Sequence, residues 1–361
     1  MIHVLLFVGG LLALVAGAEA LVRGASKLAL AFGISPLVVG LTIVAFGTSA
    51  PEMAVSVGAV LGGTTDLALG NAVGSNTFNV LFILGLAALI TPLAVHVQVI
   101  RQEAPIMIGG AVLVMVLALD GRLGLFDSAL LFALLLAYTV FLILQSRAEG
   151  AARTDDYAAE LEPSATSWDS RAWVQVLLVL VGLVLLVGGS QALVGAAVVF
   201  AKSLGISDAV VGLTIVAAGT SLPEVAASTM AAIKGERDIA VGNVVGSCVF
   251  NLFGVIGLAG LAAGLGGFDG LGVPDAVRHF DLWVMLAALV ACLPVFLSGR
   301  EIARWEGAVF LGYYAAYTAY LVLAAQHHAA LPAFSNVMLG FAIPLAIVTL
   351  VVAMFRPVKA A

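Results

Sequence analysis

Charge is scarce in this chain. Of its 361 residues only 10% are Asp, Glu, Lys or Arg, where a soluble domain carries roughly a quarter. That excludes an ordinary soluble fold. Cysteine is nearly absent: Cys248 and Cys292 both lie inside apolar runs. They read as small buried hydrophobes and exclude a disulfide framework. His96, His279, His327 and His328 fall in loops without metal-ligand spacing. There is no HExxH string, no Ser-and-His pair within the apolar runs, and no nucleotide-binding P-loop. Intramembrane hydrolysis and ATP-driven pumping by this chain are thereby disfavoured. Short alternating strands are missing too, which argues against a closed barrel.

What is present is apolar. The chain is 62% hydrophobic with a mean hydropathy of +1.17. Eleven runs can each cross about 30 Å of hydrocarbon. They are residues 4–22, 36–61, 67–91, 104–119, 124–145, 173–193, 208–233, 239–265, 280–297, 305–325 and 334–355. They must be helices, because the bilayer offers unpaired backbone groups no partner. The first run resembles a signal sequence at AGAEA, but it lacks a basic lead-in and continues into LVRGASKLA; it reads as a retained helix. The expected partner is the lipid bilayer. No nucleic-acid partner, obligatory protein partner or bound cofactor is indicated.

An outside N-terminus sorts the basic residues well. It places 12 of the 15 Lys and Arg in inner loops and leaves Arg122, Lys202 and Arg278 outside. The positive-inside rule therefore predicts a multi-pass cell-membrane protein with a cytoplasmic C-terminus. The polar stretch 147–171, with Asp155, Asp156, Glu160, Glu162 and Asp169, reads as a solvated cytoplasmic linker. It separates a first half, 1–146, from a second, 172–325, and residues 326–361 hold an added helix.

One segment occurs twice. Residues 33–89 begin GISPLVVGLTIVAFGTSAPE, and residues 205–261 begin GISDAVVGLTIVAAGTSLPE, at an offset of 172 without gaps. Over half of the aligned positions are identical. Five helices separate the two starts. Five is odd, so the copies enter the membrane from opposite sides. The expected fold is an all-α membrane protein, an inverted repeat of five plus five transmembrane helices with an eleventh C-terminal helix.

Each copy carries one glutamate in an apolar run, Glu52 and Glu224, directly after a proline. A carboxylate at a helix centre costs about 2.5–3.5 kcal/mol even on the lenient scale, and a bound cation would offset it. Proline and the preceding Gly47 or Gly219 predict an interrupted helix with exposed carbonyls, among them Ala45 and Ala217. Thr48, Ser49, Thr220 and Ser221 add hydroxyls. The strings GNAVGSNTFN and GNVVGSCVFN supply Ser75 with Asn79 and Ser247 with Asn251, each pair on one helix face. Phe78 and Phe250 read as packing. The pooled set is all oxygen, which suits calcium; sodium could compete for the same oxygens.

These duplicated GTSxPE and GNxxGSxxFN strings resemble the α-repeats of the cation/calcium exchanger superfamily, its prokaryotic sodium/calcium exchanger branch in particular. The resemblance covers both repeats and, in helix order, residues 1 to about 325. It implies ten helices in inverted halves, alternating access, and exchange of sodium for calcium. By motif position it implies ion ligands at Glu52, Glu224, Thr48, Ser49, Thr220, Ser221, Ser75, Ser247 and Asn79, with the carbonyls of Ala45 and Ala217. Some relatives carry Asp where this chain has Asn251, which argues against potassium or proton coupling. The eleventh helix is beyond the basic fold.

Other polar residues invite simpler readings. Glu19 is expected to pair with Arg23 one turn on, Asp66 and Asp238 to cap the next helix, and Glu103 to lie at the interface beside Arg101. The first and sixth helices, rich in small residues and without ligands, are the expected moving parts. A proton/calcium exchanger, a potassium-dependent exchanger and a channel remain as alternatives.

Overall fold

The structure is a computed structural model that describes residues 2–157, 169, 171–203 and 217–354. Among these residues, ten helices are long and apolar enough to span a membrane. They are α1 (Ile2–Phe32), α2 (Pro36–Leu61), α3 (Thr65–Ile90), α4 (Val99–Asp120), α5 (Leu125–Tyr157), α6 (Ala172–Ser203), α8 (Arg237–Leu265), α9 (Val277–Leu297), α10 (Arg304–Ala325) and α11 (Leu331–Thr349). The seventh expected run is described only from Ala217 onward. There a single turn, Ala217–Gly219, precedes α7 (Leu222–Lys234); its beginning, 208–216, lies outside the described residues.

Four two-residue strands report the inversion directly. β1 (Leu93–Ala94) follows α3 and pairs antiparallel with β4 (Glu301–Ile302), which follows α9. β2 (Arg122–Leu123) follows α4 and pairs with β3 (Leu271–Gly272), which follows α8. The spanning helix α4 separates β1 from β2, so the two pairs cap opposite ends of the bundle. The third helices of the two halves, α3 and α8, therefore run in opposite directions. Irregular turns repeat as well. Wide π-type turns interrupt α3 at Asn79–Leu84 and α8 at Phe250–Val255, and open α4 at Val99–Glu103 and α9 at Val277–Asp281.

The helices divide into a core and a wrapping. In the most apolar stretches of α2, α3 and α8, 61%, 72% and 89% of residues are buried, against 28% in α1 and 33% in α6. The motif helices are thus enclosed by the others. Phe78 lies in that enclosure, stacked on Phe82 at 4.7 Å and edge-on to Tyr314; Phe250 packs against Phe46.

Helices α1 and α6 run against each other along a glycine seam. A Cβ on Gly10 would lie 2.7 Å from the Gly189 carbonyl oxygen, and one on Gly17 would lie 2.8 Å from that of Gly182. One on Gly24 would meet the Gln175 carbonyl oxygen at 2.8 Å. The glycines recur every seventh residue, so one antiparallel register brings them all to the contact. Without a hydrophobic drive between helices in lipid, such close backbone approach is what holds them together. Helix α11 docks by one polar contact, the Tyr313 hydroxyl donating to the Ala342 carbonyl at 2.6 Å. That carbonyl sits at the end of the wide turn Met338–Ala342, where the helical ladder is irregular.

The stretch read as a solvated linker behaves differently in its described parts. Helix α5 continues to Tyr157, and Glu160 and Glu162 lie outside the described residues. Asp169 is fully buried, held by Arg23 at 2.6 Å and by Lys27. Two cations on α1 draw this one acid inward. Glu19 accepts from Lys234 at 2.6 Å, a partner from outside its own helix. Asp66 and Asp238 lie within the first turns of α3 and α8, not at the caps. Glu103 is buried, not interfacial. It accepts from Tyr138 at 2.7 Å, Gln102 at 2.8 Å and Gln98 at 3.0 Å, and these donors replace water around the carboxylate.

Candidate functional site

The two GTSxPE strings meet at the centre of the fold. Glu52 and Glu224 are 0% and 1% exposed. Each accepts a hydrogen bond from a serine of the opposite half. Ser221 Oγ donates to Glu52 Oε1 at 2.9 Å, and Ser49 Oγ donates to Glu224 Oε1 at 3.3 Å. Ser75 joins them through a 3.3 Å contact with Ser221. Thr48, Ser49, Ser75, Asn79, Ser221, Ser247 and Asn251 are all buried, so the two motif strings of both halves form one polar interior.

The local backbone departs from expectation in one copy. Helix α2 is not broken at GTSAPE: it is helical from Ala45 to Leu61 straight through Pro51. The irregularity lies one turn earlier, in the wide turn Gly40–Val44. Proline still removes one donor, the one that would serve the Gly47 carbonyl four residues back. In the second copy the break is real. The helix stops at Gly219 and restarts at Leu222, with Ser221 in a non-helical conformation. Here the carbonyl deprived by Pro223, that of Gly219, accepts from Ser190 of α6 at 2.7 Å. The Ala45 carbonyl lies 3.4 Å from the Thr48 hydroxyl. Ala217 opens the isolated turn before the break, and Thr220 lies in the break itself, partly exposed.

The interior is short of donors. Glu52 Oε2, Glu224 Oε2, Asn79 Oδ1, Ser247 Oγ and Asn251 Oδ1 are buried with no hydrogen-bond partner among the described residues. An unpartnered buried oxygen costs about 1–3 kcal/mol, more when it is charged. Five of them among residues of two paired motifs are oxygens that a bound cation could satisfy, with two carboxylates to balance a divalent charge.

Four polar residues here escaped the motif reading. Asn71 Nδ2 donates to Ser56 Oγ at 3.0 Å and approaches the Glu52 carbonyl at 3.5 Å. Its counterpart Asn243 donates to Ser228 Oγ at 2.8 Å and accepts from Thr48 Oγ1 at 3.2 Å. The signal was in the sequence: Ser56 and Ser228, like Asn71 and Asn243, recur at the offset of 172.

Comparison with known proteins agrees with this geometry. The family model described as sodium/calcium exchanger protein matches residues 2–144 and 174–323. The putative antiporter CaxA of Alkalimonas amylolytica is 38% identical over 84% of this chain and 95% of its own length. The sodium/calcium exchanger MaX1 of Methanosarcina acetivorans is 32% identical over 88% of this chain and 97% of its own. Among solved structures, the sodium-calcium exchanger NCX_Mj superposes with a TM-score of 0.74 at 27% identity, covering 89% of this chain and 99% of that one. The protein is a multi-pass membrane transporter, not an enzyme, and it belongs to the sodium/calcium exchanger family.

Proposed function

We propose that this protein exchanges sodium for calcium by alternating access at one site shared between its halves. The observation that carries the reading is the crossed pair of carboxylates, each bonded by the other half's serine, set among unpartnered oxygens. Glu52 and Glu224 supply the charge. Thr48, Ser49, Thr220, Ser221, Ser75, Ser247, Asn79 and Asn251 supply neutral oxygens, with the carbonyls of Ala45 and Ala217. Either half alone offers one carboxylate and too few oxygens for a calcium shell. Sodium, close in size and half the charge, takes overlapping subsets of the same ligands.

Helices α1 and α6 carry none of these ligands and move relative to the core, opening the site to one face at a time. Their glycine seam makes them a single moving body. The N-terminus faces outward and the 147–171 segment faces the cytoplasm, as the distribution of basic residues requires.

Proton/calcium exchange is the second reading. It is favoured by the burial of two carboxylates in one interior, where a proton could replace the cation as the neutralising charge. Calcium uptake into proteoliposomes, with sodium, potassium and proton gradients imposed one at a time, separates the two. Uptake driven by outward sodium at fixed pH without potassium supports the proposal. Indifference to sodium with a response to pH overturns it in favour of the second reading.

A further inference from the structure

The Thr48 hydroxyl has a single proton and two acceptors within reach. One is an oxygen that the exchanger reading assigns to the ion, the Ala45 carbonyl at 3.4 Å. The other is Asn243 Oδ1 at 3.2 Å, which has no place in that ligand set. A hydroxyl that donates to a ligand oxygen occupies a lone pair the cation needs. A hydroxyl that donates elsewhere frees that oxygen and also turns its own lone pairs toward the ion.

We infer that Asn243 is a positioning residue for the ion site: it takes the Thr48 proton and so frees the Thr48 and Ala45 oxygens for the cation. This rests on the exchanger reading above. The amide is oriented for the task. Its Nδ2 is fixed on Ser228 Oγ at 2.8 Å, which leaves Oδ1 facing Thr48. Asn243 and Ser228 are both fully buried, so water does not offer a substitute acceptor. The contact also joins the halves, since Thr48 is on α2 and Asn243 on α8. The first-half counterpart Asn71 likewise directs its amide nitrogen to a serine, Ser56, and also approaches the Glu52 main chain.

The test is a double-mutant cycle on calcium affinity. Wild type, Asn243→Ala, Thr48→Val and the double variant are compared by the calcium-induced rise in melting temperature and by proteoliposome exchange. Asn243→Ala should raise the half-saturating calcium about tenfold, the worth of one hydrogen bond, with the loss in affinity and not in maximal rate. In the Thr48→Val background it should add nothing, because the proton it accepts is gone. Additive losses, or unchanged affinity in Asn243→Ala, would overturn the assignment. If Asn243→Ala does not fold, Asn243→Asp and Ser228→Ala decide. The first keeps the acceptor and should bind calcium at least as well as wild type; the second frees the amide and should weaken binding. The reverse order overturns the assignment. A wild type whose melting temperature ignores calcium would instead bring down the exchanger reading, and this inference with it.

Discussion

The two copies of one motif adopt different backbones. GTSAPE lies in an unbroken helix; GTSLPE lies across a gap between two helical pieces. Nothing in six residues that differ at one apolar position demands this. The difference is in what packs against each. Gly47 abuts Leu183 of α6, and Gly219 abuts Val194 of the same helix, whose Ser190 takes the Gly219 carbonyl. A strictly two-fold arrangement would set Gly219 against α1, at Leu11, the residue 172 before Leu183. The repeated sequence therefore writes the same candidate ligands twice, while the α1–α6 pair packs differently on the two copies. In an inverted repeat the opposite placement is equally available to the chain, and under the proposed alternating access an exchange of the two conformations would open the other face.

The largest effect should come from what the copies share. Glu52→Gln and Glu224→Gln each leave one carboxylate to balance a divalent ion in a low-dielectric interior. Both should reduce calcium uptake to the background of empty liposomes. Near-normal calcium affinity in either variant would place the site elsewhere. A clear difference between them would show that the asymmetry of the backbone reaches the ion.

Next in size is the contact between the moving pair and the core. Helix α1 is tied to the end of α7 by Glu19 with Lys234 at 2.6 Å, and to the turn before α8 by Ser26 with Glu236 at 2.7 Å. Its ties to Asp169 stay beside α6, within the pair. A disulfide between Glu19→Cys and Lys234→Cys should fix the pair in the present position. Exchange should stop on oxidation and return on reduction, while calcium still raises the melting temperature of the oxidised protein. Full exchange by the oxidised protein would contradict movement of α1 against the core.

A smaller loss should follow from spreading the seam. A Cβ on Gly182 would lie 2.6 Å from the Leu21 amide nitrogen and 2.8 Å from the Gly17 carbonyl oxygen. Both neighbours are backbone and cannot step aside, so Gly182→Leu must push the helices apart, at about 1–3 kcal/mol or more. The expected result is a lower melting temperature and slowed exchange. Gly9→Leu is the control, because nothing lies within 4 Å of a Cβ there. Equal behaviour of the two variants would mean that the seam does not hold the pair together.

Much of this was legible because duplication writes the same chemistry twice. The offset of 172 exposed both glutamates, their hydroxyl neighbours and the parity that makes the halves inverted. What was illegible depended on contacts distant in sequence. The i,i+4 rule pairs Glu19 with Arg23, but it sees only one helix; Lys234 and Asp169 arrive from 215 and 146 residues away. Asp169 sits in a polar stretch and reads as solvated until two cations on α1 are placed over it. Glu103 stands two residues from Arg101, a spacing that puts them on different faces, and its partner Tyr138 is on α5. The proline rule foresaw a lost donor in each motif but not where it falls: the deprived carbonyls are those of Gly47 and Gly219, not Ala45 and Ala217, and one helix absorbs the loss without breaking.

The finest test of the comparison is at the two asparagines. Asn79 and Asn251 occupy equivalent positions at the wide turns of α3 and α8, and each presents a buried, unpartnered amide oxygen. Asn251→Asp would add a third negative charge beside two. When that carboxyl carries a proton it offers a neutral oxygen, as the amide does. When it loses the proton it holds calcium more tightly and releases it more slowly. The variant should therefore exchange at nearly the wild-type rate at low pH and fall progressively behind as pH rises, by about tenfold where the added charge is worth one unit of cation affinity. Neither protein should require potassium, since the wild type lacks the extra carboxylate and the variant gains charge without a second cation cage. The ratio of the two exchange rates across pH, measured with and without potassium, decides it. A ratio that stays flat would mean that residue 251 does not face the ion, leaving Asn79 as the sole amide ligand and the site less symmetric than its sequence.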